Sequence, residues 1–164
     1  LALITIIFDE KHMEIPSTIT DLYSIFVDLL LKKFEFKSTI DIIETDIKHR
    51  LLANLAKGMH VKQLVSIEKS EALNIIGSYL HDRGQSDINI EELLEDIVNN
   101  NALLIYNERS ELQFKHLSFQ EYFTAYEFYH HRQTERNIFV SKFNKLWWQN
   151  VAIFYAGFSV NSML

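Results

Sequence analysis

Four groups of residues in this sequence are of the types from which catalytic or binding chemistry is built. Ile4-Thr5-Ile6-Ile7-Phe8-Asp9-Glu10 is an apolar run ending in two carboxylates, the pattern that positions magnesium beside a nucleotide in P-loop proteins. That chemistry also needs a Gly-rich loop that cradles phosphates and leads into Lys and Ser or Thr. None of Gly58, Gly77, Gly84 or Gly157 precedes a Lys. An ordinary buried helix accounts for the run, so the chain itself is expected not to be an enzyme. Ser66 and Lys69 match Ser-x-x-Lys, but the partner motifs of penicillin-recognising enzymes are missing, and capping and surface roles suffice. His130 and His131 are adjacent, so on a helix they point about 100° apart and do not form the i, i+4 pair that holds a metal. A solvated helix end is the simpler account, and no metal site is expected.

His116 is the fourth. Leu112-Gln113-Phe114-Lys115-His116 alternates apolar and polar, which predicts a strand with His116 on the inward face of Leu112 and Phe114, and Gln113 and Lys115 outward. An inward imidazole needs a hydrogen-bond partner. It also stands just before a helix that Ser118 is expected to cap, where free backbone N–H groups and the helix dipole favour an anion. Two accounts are open: a donor to a phosphate, or a histidine bonded to a nearby backbone carbonyl. Spacing alone favours the second.

The elements that position these residues are mostly helical. Ile19, Leu22, Tyr23, Phe26, Leu29, Leu30 and Phe34 recur at helical spacing after Pro16-Ser17-Thr18, with Asp21 three residues past Thr18. The pattern returns from about Glu44 to His60. A short β-like run, Leu64 to Ile67, precedes a helix from about Lys69 to Arg83 that Gly84 ends at a left-handed cap. Asn89 with Glu92 reads as a capping box opening a helix through Val98. Then the period changes: Ala102 to Tyr106, the polar turn Asn107 to Glu111, and Leu112 to His116 predict a hairpin. Three helices followed by a two-stranded hairpin is the order of a winged helix. Beyond it, Ser118 and Glu121 predict another capping box, and Phe119, Tyr122, Phe123, Tyr126 and Tyr129 a broad apolar face. A last apolar helix is expected around Trp147 to Phe158.

With 164 residues, 48% of them hydrophobic, the chain can bury a core of one or two small domains. Its 16 basic against 22 acidic residues, net charge -6, argue against a nucleic-acid or anionic-membrane surface. There is no cysteine, which suits a cytoplasmic protein. Leu1 to Phe8 is too short to span a bilayer and lacks the basic leader of a signal peptide. Opening on Leu inside an apolar stretch, the sequence is expected to be part of a longer polypeptide.

Phe114-Lys115-His116-Leu117-Ser118-Phe119-Gln120-Glu121-Tyr122-Phe123-Thr124-Ala125 resembles the Phe-x-His-x-Ser/Thr-Phe-Gln-Glu-Phe/Tyr-Phe-Ala-Ala signature of the winged-helix domain of NACHT proteins. Glu14-Ile15-Pro16-Ser17 with Asp21-Leu22-Tyr23 and Val27 to Leu31 is similar to the helical segment after their nucleotide-binding core. Glu92 to Val98 leading to Ala102-Leu103-Leu104 is similar to their usual helix and first wing strand. Leu1-Ala2-Leu3-Ile4 looks like the helix after a family Pro that packs near the adenine, which sets aside the magnesium reading. Asn101 stands where the family often has Gly. Leu146 to Val151 resembles the start of the helical or repeat array that often follows.

The resemblance implies a mainly α protein, a helical bundle with a winged-helix domain carrying a small two-stranded β wing. Residues 1–39 would end the helical domain after the nucleotide-binding core, 40–132 form the winged helix, and 133–164 begin a second helical or repeat region. It implies a regulatory segment of an ATP/ADP-switched signalling protein of the innate-immune or antiphage type, partnered by the nucleotide-binding domain of its own chain and by further copies on activation. His116, at the motif's histidine position, would contact the β-phosphate of ADP in the full-length parent, while no nucleotide is expected to bind this chain tightly by itself. A DNA-binding winged-helix regulator and an interaction scaffold without a nucleotide role are the rival readings.

Overall fold

The computed structural model describes residues 16–32, 45–100, 102–131 and 135–161. Leu1 to Phe8, Asp9, Glu10, Asn101 and the expected boundaries near 40 and 132 lie outside them. Helix α1, Ile19–Lys32, begins as the local chemistry dictates. Thr18 Oγ1 accepts the Asp21 N–H at 3.1 Å while Asp21 Oδ2 accepts the Thr18 N–H at 3.0 Å, a reciprocal box that satisfies two first-turn donors.

The winged helix starts with α2, Thr45–Val61, then β1, Ser66–Ile67, and α3, Lys69–His81. Both helices end with paired backbone bonds around a left-handed residue. Gln63 has φ 57° after α2, and Gly84 has φ 69° after α3, as its position predicts. Helix α4, Ile90–Asn100, is capped by Asn89 Oδ1, which accepts from the N–H groups of Glu91 and Glu92 at 3.2 and 3.4 Å. Strands β2, Leu104–Tyr106, and β3, Leu112–Phe114, form the wing. The expected two-stranded wing is present, and β1 adds a third strand to its antiparallel sheet, ordered β1-β3-β2. Ser66 and Ile67 pair with Gln113 and Leu112, so the Leu64 to Ile67 run covers the free edge of β3.

After the wing come α5, Leu117–His130, a short α6, Arg136–Val140, a 3-10 turn at Leu146–Trp148 and α7, Gln149–Asn161. Ser118 does not cap α5. It is already the second helical residue, His116 takes the cap position without a side-chain bond, and Glu121 faces another element. One core joins these parts: Leu51, Leu52 and Leu55 of α2, Leu94 and Ile97 of α4, Leu112 of β3, Phe123 of α5, Val151 of α7 and Val27 of α1 are all buried in it. Where α1 crosses α7 the helices touch at Gly157, because a Cβ there would lie 2.5 Å from Thr20 Cβ. Thr20, fully buried, donates its hydroxyl to the Phe154 carbonyl at 3.2 Å.

Candidate functional site

His116 is exposed, not inward as its alternation suggests. Strand β3 ends at Phe114, so the two-residue period no longer applies at Lys115 and His116, where the chain turns through extended backbone (φ −133°, ψ 137°) into α5. Among the described residues its ring makes no hydrogen bond, and its aromatic contact is Phe119, 6.0 Å away between centroids. The imidazole therefore stands exposed and without a cap bond on the N-cap residue of a 14-residue helix whose first-turn amides lack helical partners, with exposed Lys115 adjacent.

The residues after His116 do the opposite. Phe119 packs edge-on against Tyr23 and tilts over Phe26 of α1, with centroids 5.6 and 6.4 Å apart. Gln120 donates to the Leu64 carbonyl at 2.9 Å, beyond the end of α2. Glu121 receives Asn150 Nδ2 of α7 on both oxygens, at 3.0 and 3.1 Å. Burial pushes the Glu121 carboxyl above the usual carboxylate range, and the Asn150 bonds offset part of that rise. Tyr122 shares a 3.0 Å hydrogen bond with Ser24 of α1, and burial drives its phenol upward. Phe123 lies against His49 of α2 and Phe114 of β3. Five consecutive side chains thus bind α5 to both flanks and to the winged helix.

A second junction escapes sequence reasoning. Buried His60, near the end of α2, stacks on Trp147 at 4.6 Å. Its Nε2 lies 3.1 Å from the Trp147 carbonyl, and Trp147 Nε1 donates to the His60 carbonyl at 2.9 Å. Burial is the main cause that brings the imidazole pKa down to about 4. No local spacing signals a partner 87 residues away.

The other candidates resolve into structure. Ser66 donates to Glu111 at 2.7 Å and Lys69 pairs with Glu95 at 2.9 Å, so no nucleophile-base pair forms. His130 leans on Tyr126 and Phe158, and among the described residues no group of His, Asp and Glu could hold a metal. On α4, Glu95 also accepts from the Tyr106 hydroxyl, while Asp96 meets Lys48 in a buried ion pair at 3.5 Å. Glu91 and Glu92 stay exposed. An open groove of about 720 Å³ between α2, α3 and the end of α5 carries mixed charge, Lys62 and Arg83 with Glu71, Asp82 and Glu127, and does not include His116.

The family described as a winged helix-turn-helix domain C-terminal to NACHT matches residues 20–128, well over half of the chain. The chain belongs to this family of NACHT-associated winged helices. No curated protein matches it. The match runs from α1 through the winged helix to nearly the end of α5, so this NACHT-associated winged helix includes the α1 contacts made by Phe119 and Tyr122. A domain of this kind accompanies an N-terminal NACHT domain in its chain. None of its described helices is long and apolar enough to cross a membrane.

Proposed function

We propose that this NACHT-associated winged helix couples nucleotide state to conformation in an ATP/ADP-switched signalling protein of the innate-immune or antiphage type, acting in the cytoplasm. His116 is its nucleotide contact: the imidazole donates to the β-phosphate of ADP held by the NACHT domain of the same chain and so latches the closed form. Exchange for ATP frees the winged helix and lets copies of the protein oligomerise. The observation that carries this reading is the contrast within one motif. Phe119 to Phe123 are consumed by packing and hydrogen bonds, whereas His116 is left exposed at a helix head that favours anions.

The test is His116→Ala in the full-length protein. Removing one hydrogen bond to a charged group costs about 1.5–3 kcal/mol, which corresponds to ADP held roughly ten- to a hundredfold less tightly. By linkage the closed form weakens equally, so the variant should fold, release ADP faster and oligomerise or signal untriggered. A folded variant with unchanged ADP affinity and no added activity refutes the latch.

A further inference from the structure

Glu121 is an unusual choice for its place. It is 6% exposed, and among the described residues no cation pairs with it; its partner is the neutral amide of Asn150, the second residue of α7. An apolar pair of similar shape serves packing alone at least as well, because the carboxylate must give up hydration that one amide replaces only in part. What such a pair supplies is direction. Two oxygens converging on one Nδ2 restrict both the rotation of α5 about its axis and the placement of the start of α7. Gln120 adds a fixed point at Leu64, on the next position around the helix. His116 lies five residues before Glu121, about 7.5 Å along the axis. Any turn of α5 that breaks the clasp therefore swings the imidazole.

We propose that Glu121 and Asn150 are positioning residues for His116: their clasp fixes α5 against the start of α7, so the imidazole is presented in one place and withdrawn when α7 shifts. This rests on the reading of His116 as the phosphate contact. It makes the nucleotide latch sensitive to whatever pulls on α7.

The experiment measures release of a fluorescent ADP analogue from the full-length protein, with amide exchange of residues 117–119 read in parallel. Asn150→Ala removes the donor, and both release and exchange should quicken roughly three- to tenfold, less than the full effect of losing a hydrogen bond to a charged group because the imidazole's own contact is loosened and not removed. Glu121→Gln keeps one oxygen for Asn150 but replaces the other with an NH2 donor, so it should quicken both, by less than Asn150→Ala does. Asn150→Asp sets two carboxylates face to face, which share a proton only at lower pH. Its release rate relative to wild type should therefore rise from pH 6 to pH 8. This variant serves in place of Asn150→Ala if the latter does not fold. If His116→Ala speeds release but the clasp variants leave release and exchange unchanged, or the Asn150→Asp ratio is flat with pH, the positioning proposal is overturned and the latch stands. If His116→Ala itself leaves release unchanged, the latch falls and the proposal falls with it.

Discussion

Lowering the pH from 7 to 5 is expected to weaken the fold through His60. Its Nε2 faces the Trp147 carbonyl at 3.1 Å, which requires the ring proton to sit there. Nδ1 is then the lone pair, and it faces Gln120 Nε2 at 3.5 Å, so a second ring proton would point one donor at another. Burial first, then the charge of Lys142, depress the pKa against the Trp147 bond, from 6.5 to about 4. Because the folded value is the lower one, the unfolded chain binds the proton first as pH falls. The stability held by the neutral ring is complete above about pH 6.5 and is lost progressively toward pH 4. With these two pKa values the loss is about 2 kcal/mol at pH 5 and about 3 kcal/mol at pH 4. Urea unfolding at pH 7 and pH 5 can be followed by tryptophan fluorescence, since the chain's two tryptophans both touch the His60 ring, at 4.6 and 4.7 Å. His60→Gln is the control: its amide nitrogen can still reach the Trp147 carbonyl but does not titrate. His130, also lowered by burial, titrates in both proteins and cancels. Wild type should lose about 2 kcal/mol more than the variant between the two pH values. Equal losses would refute the assignment of the acid sensitivity to this ring.

Gly157→Ala should force α1 away from α7, because its Cβ would overlap Thr20 Oγ1 and crowd Thr20 Cβ at 2.5 Å. A loss of about 1–3 kcal/mol is expected in thermal or urea unfolding, and an unchanged midpoint would contradict the close crossing. Random duplex DNA titrated at low salt should show only weak association. The third helix of the winged helix carries Glu91, Glu92, Glu95 and Asp96 and no basic residue, so phosphates there release no counterion free energy; submicromolar binding would overturn this. The chain alone should hydrolyse no ATP and give no appreciable heat with ADP, since one imidazole supplies few of the contacts a phosphate needs. Turnover above a matched inactive preparation would return attention to Asp9 and Glu10.

The sequence by itself determined whatever depends on near neighbours. Thr18 and Asp21 are three residues apart and cap each other, Gly84 supplies the positive φ that ends α3, and Asn89 caps α4, so element order and the winged-helix class were readable from spacing. The twelve-residue motif around His116 pointed to the family that the match over residues 20–128 establishes. Only the tertiary structure decided which way the motif's side chains face. Alternation placed His116 inward, but alternation holds only while the strand lasts, and β3 stops two residues earlier. Glu121 has the spacing of a capping residue for Ser118, yet α5 begins at Leu117 and α7 brings Asn150 to within 3.0 Å. His60 and Trp147 meet across 87 residues. Such pairs are set by how packed helices close on one another, and no local period encodes them, because their partners become neighbours only after the core has formed.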